Sequence, residues 1–140
     1  MLYTRKGDGG TSGLFGTKDR FPKHAPIYEA LGTLDELNSL LGICSAKSAS
    51  NPLHEVNIPT AQHNSQQNIF IAQAELAGAQ KHIPQAHVLE LENMTNRLEM
   101  QIGHQRTFTI PGATELSALF DYARAVCRRA ERSVLAAHAV

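Results

Sequence analysis

The sequence predicts an all-α fold, an up-and-down bundle of four helices that follows a glycine-rich N-terminal loop. Apolar residues recur at helical spacing in four separate segments after residue 26, which predicts amphipathic helices. The first 26 residues hold five glycines and two prolines, a composition that excludes a helix there. The strand-like run Thr107–Ile110 is too short to found a sheet.

Length and composition narrow the class of protein. With 140 residues, the chain is expected to form one domain over 1–140, a loop over 1–26 and a bundle over 27–140. Thirteen basic residues balance thirteen acidic ones, which disfavours nucleic-acid binding through bulk charge. No apolar run reaches the roughly 18 residues of a membrane helix, and no signal-peptide pattern is visible. Cys44 and Cys127 lie among apolar neighbours, so we expect two buried, reduced thiols in a cytoplasmic protein without membrane partners.

The four helices are predicted in order from their apolar stripes and breakers. Helix one is predicted over Ile27–Lys47, ended by Ser48–Pro52, helix two over about 60–79, and helix three over about 85–102. Helix four is predicted from an N-cap at Thr114 to the end of the chain. The stripes are Leu31, Leu34, Leu37, Leu41 and Cys44; Ile69, Ala72 and Leu76; Val88, Leu91, Leu98 and Ile102; and Leu116, Leu119, Phe120, Ala123, Cys127, Ala130 and Val134. Joined by fairly short connections, such helices pack as a bundle.

Helix four carries a row of arginines about a quarter to a third of a turn from its apolar stripe. Arg124, Arg128 and Arg132 follow one another at a spacing of four residues. One interpretation is a solvated face with ion pairs such as Asp121–Arg124. The other is a phosphate clamp, because the planar fork of arginine matches phosphate oxygens.

The glycine-rich loop offers the second half of a phosphate site. Its glycines allow backbone N–H groups to converge on an anion, while Thr4, Ser12 and Lys6 add hydroxyl donors and a charge. Neither standard nucleotide motif is present, since GxxxxGK[ST] is absent and GxGxxG from Gly7 fails at Ser12. A flexible tail without function has a similar composition, so the loop indicates a phosphate site only in combination with the arginine row.

Polar residues also interrupt the apolar pattern of helix one. Asn38 lies between Leu34 and Leu41, and Asp35 lies at the edge of the stripe. A buried carboxylate is costly unless it is paired, and an arginine of helix four is its natural partner. Alternatively, Asp35 faces water beside Glu36. The seven histidines form no HxxxH or HExxH pair, so no protein-ligated metal site is predicted.

Three parts of the sequence together carry a resemblance to a known family. They are Tyr3–Ser12, then Glu29–Asn38, then Phe108–Gly112 followed by Ala123–Arg132. The chain resembles the PduO-type ATP:cob(I)alamin adenosyltransferases from residue 3 to about residue 134. The resemblance implies a homotrimer with an active site at each subunit interface. It also implies that ATP, with Mg²⁺ held through its phosphates, transfers its 5′-deoxyadenosyl group to cob(I)alamin, giving adenosylcobalamin and triphosphate.

The resemblance also assigns roles to individual residues. Asp35 and Arg124 match an interfacial ion pair that supports the site, and Phe108 matches an aromatic residue that helps to expel the lower axial ligand of the corrinoid. The residues that match the nucleotide-binding loop are Thr4, Arg5, Lys6, Gly7, Ser12, Gly13 and Lys23. The residues that match the ATP-contacting part of the arginine helix are Arg128, Arg129, Glu131 and Arg132. Because cobalt is the nucleophile, the protein needs none of its own.

The chain departs from the family in three places. Ala113 stands where the family has a second glycine, and Phe120-Asp121 stands where it has Leu-His. The family continues into a further helix, whereas this sequence ends at Val140. This leaves two alternatives to a working enzyme: a truncated relative that binds ATP or corrinoid without turnover, and a bundle that only oligomerises.

Overall fold

The predicted all-α architecture is confirmed. The structure, a computed structural model, describes residues 3–49, 58–103 and 107–138, without the side chains of residues 58–60. Its four helices are α1 (Pro26–Ala49), α2 (Ile58–Leu76), α3 (Gln85–Ile102) and α4 (Glu115–His138). A short antiparallel hairpin in the N-terminal loop, β1 (Thr11–Gly13) and β2 (Arg20–Pro22), was not predicted.

The boundaries of α1 and α2 differ from the prediction by one to three residues, whereas the predicted end of α4 at the chain end lies outside the described residues. Pro26 opens α1 one residue early, which its fixed φ and missing N–H allow at a first helical position. Ser48 and Ala49 still belong to α1, contrary to the predicted stop, whose remaining residues 50–52 lie outside the described part. α2 begins at Ile58 and ends at Leu76, three residues short of the prediction. α3 has the predicted bounds.

The predicted start of α4 is confirmed by a reciprocal cap. The Ser117 N–H donates to Thr114 Oγ1 at 3.0 Å, and the Thr114 N–H donates to Ser117 Oγ at 3.0 Å. Such a pair satisfies donors that a helix N-terminus otherwise leaves without partners.

The core lies along α1, which packs against both α2 and α4. Its buried side chains are Leu34, Leu37, Leu40, Cys44, Ala123, Val126 and Ala130. The ion pair Lys47–Glu115, at 2.7 Å, joins the end of α1 to the start of α4, and the pair Glu36–Arg129 joins the two helices near their middles. The order of these pairs shows that α1 and α4 run antiparallel. The Gln66 Nε2 donates to the Asn38 carbonyl oxygen at 3.0 Å and ties α2 to α1. The arginine-bearing half of α4 therefore lies beside the first half of α1.

One of the two expected buried thiols is not buried. Cys44 is fully buried, and this burial raises the pKa of its thiol. Cys127 is exposed, and the neighbouring Val126, at 2% exposure, takes its place in the core. Successive helical residues are rotated by about 100°, so α4 turns Ala123, Val126 and Ala130 toward α1 and leaves Cys127 at the edge.

The apolar stripe of α3 is not buried as its pattern suggested. Val88, Leu91, Leu98 and Ile102 are between 37% and 68% exposed, and α3 has no buried residue. A groove of about 390 Å³ opens between the helices. It is lined mainly by apolar side chains, among them Leu37, Leu41, Ile69, Leu91 and Phe120. Within the described ranges, no helix is long and apolar enough to cross a membrane.

Candidate active site

The glycine-rich loop forms an ordered turn. The Gly10 N–H donates to the Gly7 carbonyl oxygen at 3.1 Å, and the Asp8 N–H donates to the Arg5 carbonyl oxygen at 3.2 Å. Gly10 has φ of 78°, in the left-handed region that disfavours residues with a Cβ. The loop thus reverses direction over 7–10, immediately before β1.

Lys23 closes over this turn. Its N–H donates to the Gly10 carbonyl oxygen at 2.9 Å. A Cβ atom at Gly7 would lie 3.1 Å from Lys23 Nζ and 3.3 Å from the Thr11 carbonyl oxygen, so a larger residue at Gly7 would force a neighbour to move. Lys23 and Gly7 were both predicted for the nucleotide site, and the fold brings them into contact.

The remaining loop residues predicted for the site are placed around this turn. Thr4, Arg5, Lys6 and Gly13 are exposed, and Ser12 is half-buried in β1. The Arg5 guanidinium lies 5.3 Å from the centre of the Tyr3 ring, within cation–π range. Thr4 Oγ1 accepts from the Lys6 N–H at 3.4 Å. The three cations that were predicted for the nucleotide site, Arg5, Lys6 and Lys23, are therefore all exposed.

The α4 arginines fall into two groups. Arg124 lies 3.7 Å from Asp121, the pair expected for a solvated face, and Arg129 pairs with Glu36 of α1. Arg128, Glu131 and Arg132 are exposed, and within the described ranges no hydrogen bond or ion pair engages them. Two of the three arginines in the predicted row, Arg128 and Arg132, thus have donors that no described residue engages.

Asp35 and Asn38 of α1 differ in burial. Asp35 is exposed and makes no ion pair with Arg124 among the described residues, so a pairing across a subunit interface stays a prediction. Asn38 Oδ1 is buried and lacks a hydrogen-bond partner among the described residues, and so does the Tyr28 hydroxyl. Buried polar atoms without partners are uncommon in native proteins.

The loop and the arginine row are not joined by any hydrogen bond between described residues of the single chain. Phe108 and Ile110 are fully exposed in the segment that precedes α4, and this segment is not a strand. The apolar groove does not suit a triphosphate, because its lining offers few donors. In the described part of the chain, no three His, Cys, Asp or Glu residues are grouped as metal ligands.

Sequence reasoning missed two residues that shape the site. Glu36 stands next to Asp35, but only the packing of α1 on α4 shows that it engages Arg129 and lies 3.5 Å from the Tyr122 hydroxyl. Arg20 binds the loop from β2, and its role depends on a hairpin that the pattern did not predict.

The sequence comparisons agree with this architecture. The sequence profile described as cobalamin adenosyltransferase matches residues 2–140. A corrinoid adenosyltransferase of Citrobacter freundii is 37% identical over 142 residues, which cover 96% of this chain and 77% of that protein. The corrinoid adenosyltransferase PduO of the same organism is 36% identical, and the match covers 96% of this chain. The chain spans about 40% of the length of that PduO protein and of its Salmonella typhimurium counterpart.

Solved structures agree as well. A PduO-type ATP:corrinoid adenosyltransferase from Lactobacillus reuteri, a phenylalanine-to-histidine variant complexed with cobalamin and ATP, superposes with a TM-score of 0.85. It is 26% identical, and the match covers 96% of this chain and 74% of that one. An arginine-to-lysine variant of the Lactobacillus reuteri enzyme, complexed with ATP, gives a TM-score of 0.83. By sequence profile, relatives and fold, the chain belongs to the cobalamin adenosyltransferase family.

Proposed function

We propose that the chain transfers the 5′-deoxyadenosyl group of ATP to the cobalt of a reduced corrinoid, giving the adenosylated corrinoid and triphosphate. The observation that carries the proposal is the row of α4 arginines, in which Arg128 and Arg132 are exposed and engaged by no described residue. Family membership and the names of the relatives point to the same reaction.

The reaction explains why cations are needed. The Co(I) electron pair attacks C5′ of ATP, the C5′–O bond breaks, and its electron pair leaves on the triphosphate. Negative charge therefore grows on the leaving group, and fixed cations stabilise it best when they need no reorganisation. We assign this role to Arg128 and Arg132, with Glu131 and Arg129 beside them on the same helix.

The loop supplies the other side of the nucleotide site in this proposal. Thr4, Ser12 and the backbone of Gly7 and Gly13 offer hydrogen-bond donors, and Arg5, Lys6 and Lys23 offer charge. No acidic cluster among the described residues would hold Mg²⁺ by itself. Mg²⁺ would therefore arrive with the phosphates of ATP, as it commonly does in nucleotide sites.

We further propose a homotrimer in which the loop of one subunit faces the α4 arginines of the next. Three observations support it: no hydrogen bond between described residues joins the loop to the arginines, Asp35 is exposed, and the buried Asn38 Oδ1 lacks a described partner. An interface would pair Asp35 with Arg124 of a neighbouring subunit. The exposed ring of Phe108 would then meet the corrinoid and favour loss of its lower ligand.

The reduced corrinoid and the two free thiols, Cys44 and Cys127, fit a reducing compartment, so we place the reaction in the cytoplasm.

The test is a pair of measurements on the same purified chain. Calorimetry with MgATP measures nucleotide binding, and absorbance spectroscopy under strong reductant follows the conversion of cob(I)alamin to adenosylcobalamin. We expect the wild-type chain to bind ATP and to turn over. An Arg128→Ala variant should lose turnover, whereas Arg97→Ala, which removes an exposed arginine of α3, should retain it. ATP binding without turnover would overturn the transfer reaction in favour of a binding protein. No ATP binding would overturn both and leave a structural bundle.

A further inference from the structure

Arg20 fastens the glycine-rich loop to the hairpin that follows it. Its Nη2 donates to the Lys6 carbonyl oxygen at 2.8 Å and to the Thr11 carbonyl oxygen at 2.8 Å. Its Nε donates to Thr11 Oγ1 at 3.0 Å. One guanidinium thus holds both ends of the segment that contains the turn at 7–10.

These contacts occupy the donors with which Arg20 could otherwise bind an anion. Three of the five N–H groups that a guanidinium carries point to atoms of the loop. Carbonyl oxygens at both ends of a turn are fixed by one rigid, planar group, whereas a lysine ammonium lacks this fork. Arg20 is therefore suited to shaping the loop rather than to contacting phosphate.

The hairpin sets the position of Arg20. In the β1–β2 register, Gly13 pairs with Arg20 and Thr11 pairs with Pro22, so the Arg20 side chain reaches along β1 toward Thr11. Lys23, three residues later, closes over Gly7. Arg20 of β2 thus supports the loop backbone, and Lys23, the residue directly after β2, places a cation on it.

We propose that Arg20 is a positioning residue that holds the Lys6–Thr11 segment in its anion-binding shape before ATP arrives. This inference rests on the proposed nucleotide site of the loop. Without Arg20, the loop would have to be ordered by ATP itself, and this cost would appear as weaker ATP binding.

The test combines hydrogen exchange in the absence of ATP with kinetics. In Arg20→Ala, we expect the backbone amides of residues 6–13 to exchange about tenfold faster, and the KM for ATP to rise by about tenfold, with the KM for corrinoid unchanged. Arg20→Lys should recover part of both effects, because one ammonium can replace some of the donors. Lys18→Ala is the matched control: it removes an exposed cation from the same loop that makes no described hydrogen bond, and it should change neither value.

Each outcome decides the inference. Unchanged amide exchange in Arg20→Ala would overturn it, even if ATP binding fell, because a direct phosphate contact would then be the explanation. An equal rise in KM for Lys18→Ala would also overturn it in favour of a general charge effect. If the wild-type chain does not bind ATP, the proposed function fails, and the exchange measurement still decides whether Arg20 holds the loop.

Discussion

Replacing Arg128 by lysine is the sharpest test of the arginine row. Arg128 lies one turn after Arg124 and one turn before Arg132, in the middle of the row. Its side chain is exposed and makes no hydrogen bond or ion pair with a described residue, so the substitution breaks none of the described polar contacts. The buried residues Ala123, Val126 and Ala130 are untouched, and the fold should remain intact. A loss of ATP affinity in this variant would therefore come from a weakened contact between residue 128 and ATP.

The expected magnitude follows from the geometry of the two side chains. The planar guanidinium of arginine can donate two parallel charged hydrogen bonds to one phosphate. Lysine keeps the positive charge but loses one of these two hydrogen bonds. A hydrogen bond to a charged group contributes about 1.5–3 kcal/mol. ATP affinity should therefore fall by roughly 10- to 150-fold, since about 1.4 kcal/mol corresponds to a factor of ten.

Calorimetric titration with MgATP measures this change, provided that circular dichroism and sedimentation match the wild type. Arg97→Lys is the control, because Arg97 is an exposed arginine on α3 and does not belong to the arginine row of α4. We expect the control to bind ATP like the wild type. Wild-type affinity in folded Arg128→Lys would refute the phosphate role and favour a solvated face.

Four further outcomes are expected. If the proposed trimer pairs Asp35 with Arg124 of a neighbouring subunit, Asp35→Ala should weaken both its assembly and ATP binding by about 2–5 kcal/mol, which sedimentation and titration measure. Val126→Ala should lower the free energy of unfolding by about 2 kcal/mol in urea denaturation, because two buried methyl groups are lost, whereas Cys127→Ala at the adjacent exposed position should change it little. A thiol reagent should modify Cys127 in the folded protein and Cys44 only after unfolding. Because burial raises the pKa of Cys44 above its ordinary 9.0, the folded state keeps a proton that the unfolded state loses, and the free energy of unfolding should decline as pH rises past 9.0.

Much of the fold could be predicted because it depends on local patterns. The period of apolar residues placed all four helices, and the Thr114 cap fixed the start of α4. Which side of a helix is most buried depends on the helices packed against it. For this reason Val126 is buried in the core, whereas Cys127, which was predicted to be buried, is exposed. The apolar residues of α3 are a second example, because their spacing predicts an apolar face but does not predict which surface packs against it.

The site could be predicted only in its parts. Arginine spacing and glycine content indicated two candidate anion-binding surfaces, and the close approach of Lys23 to Gly7 fits that prediction. The engagement of Arg129 by Glu36 could not be inferred, because it depends on how far α4 is shifted along α1. Arg20 was missed for a similar reason: two of its three acceptors are backbone carbonyls, which every sequence has and no sequence pattern marks.

The cap of α4 has a consequence for insertions and deletions. The cap formed by Thr114 and Ser117 fixes where α4 begins. The direction of each side chain in α4 then depends on how many residues separate it from the cap. One residue inserted between Ser117 and Arg124 would rotate the whole arginine row by about 100° relative to the cap and advance it by about 1.5 Å. Substitutions on the exposed face of α4 outside the arginine row should therefore be tolerated where changes of length are not. Changes of length at residues 111–113, which are exposed and lie before the cap, would leave the phase of α4 intact.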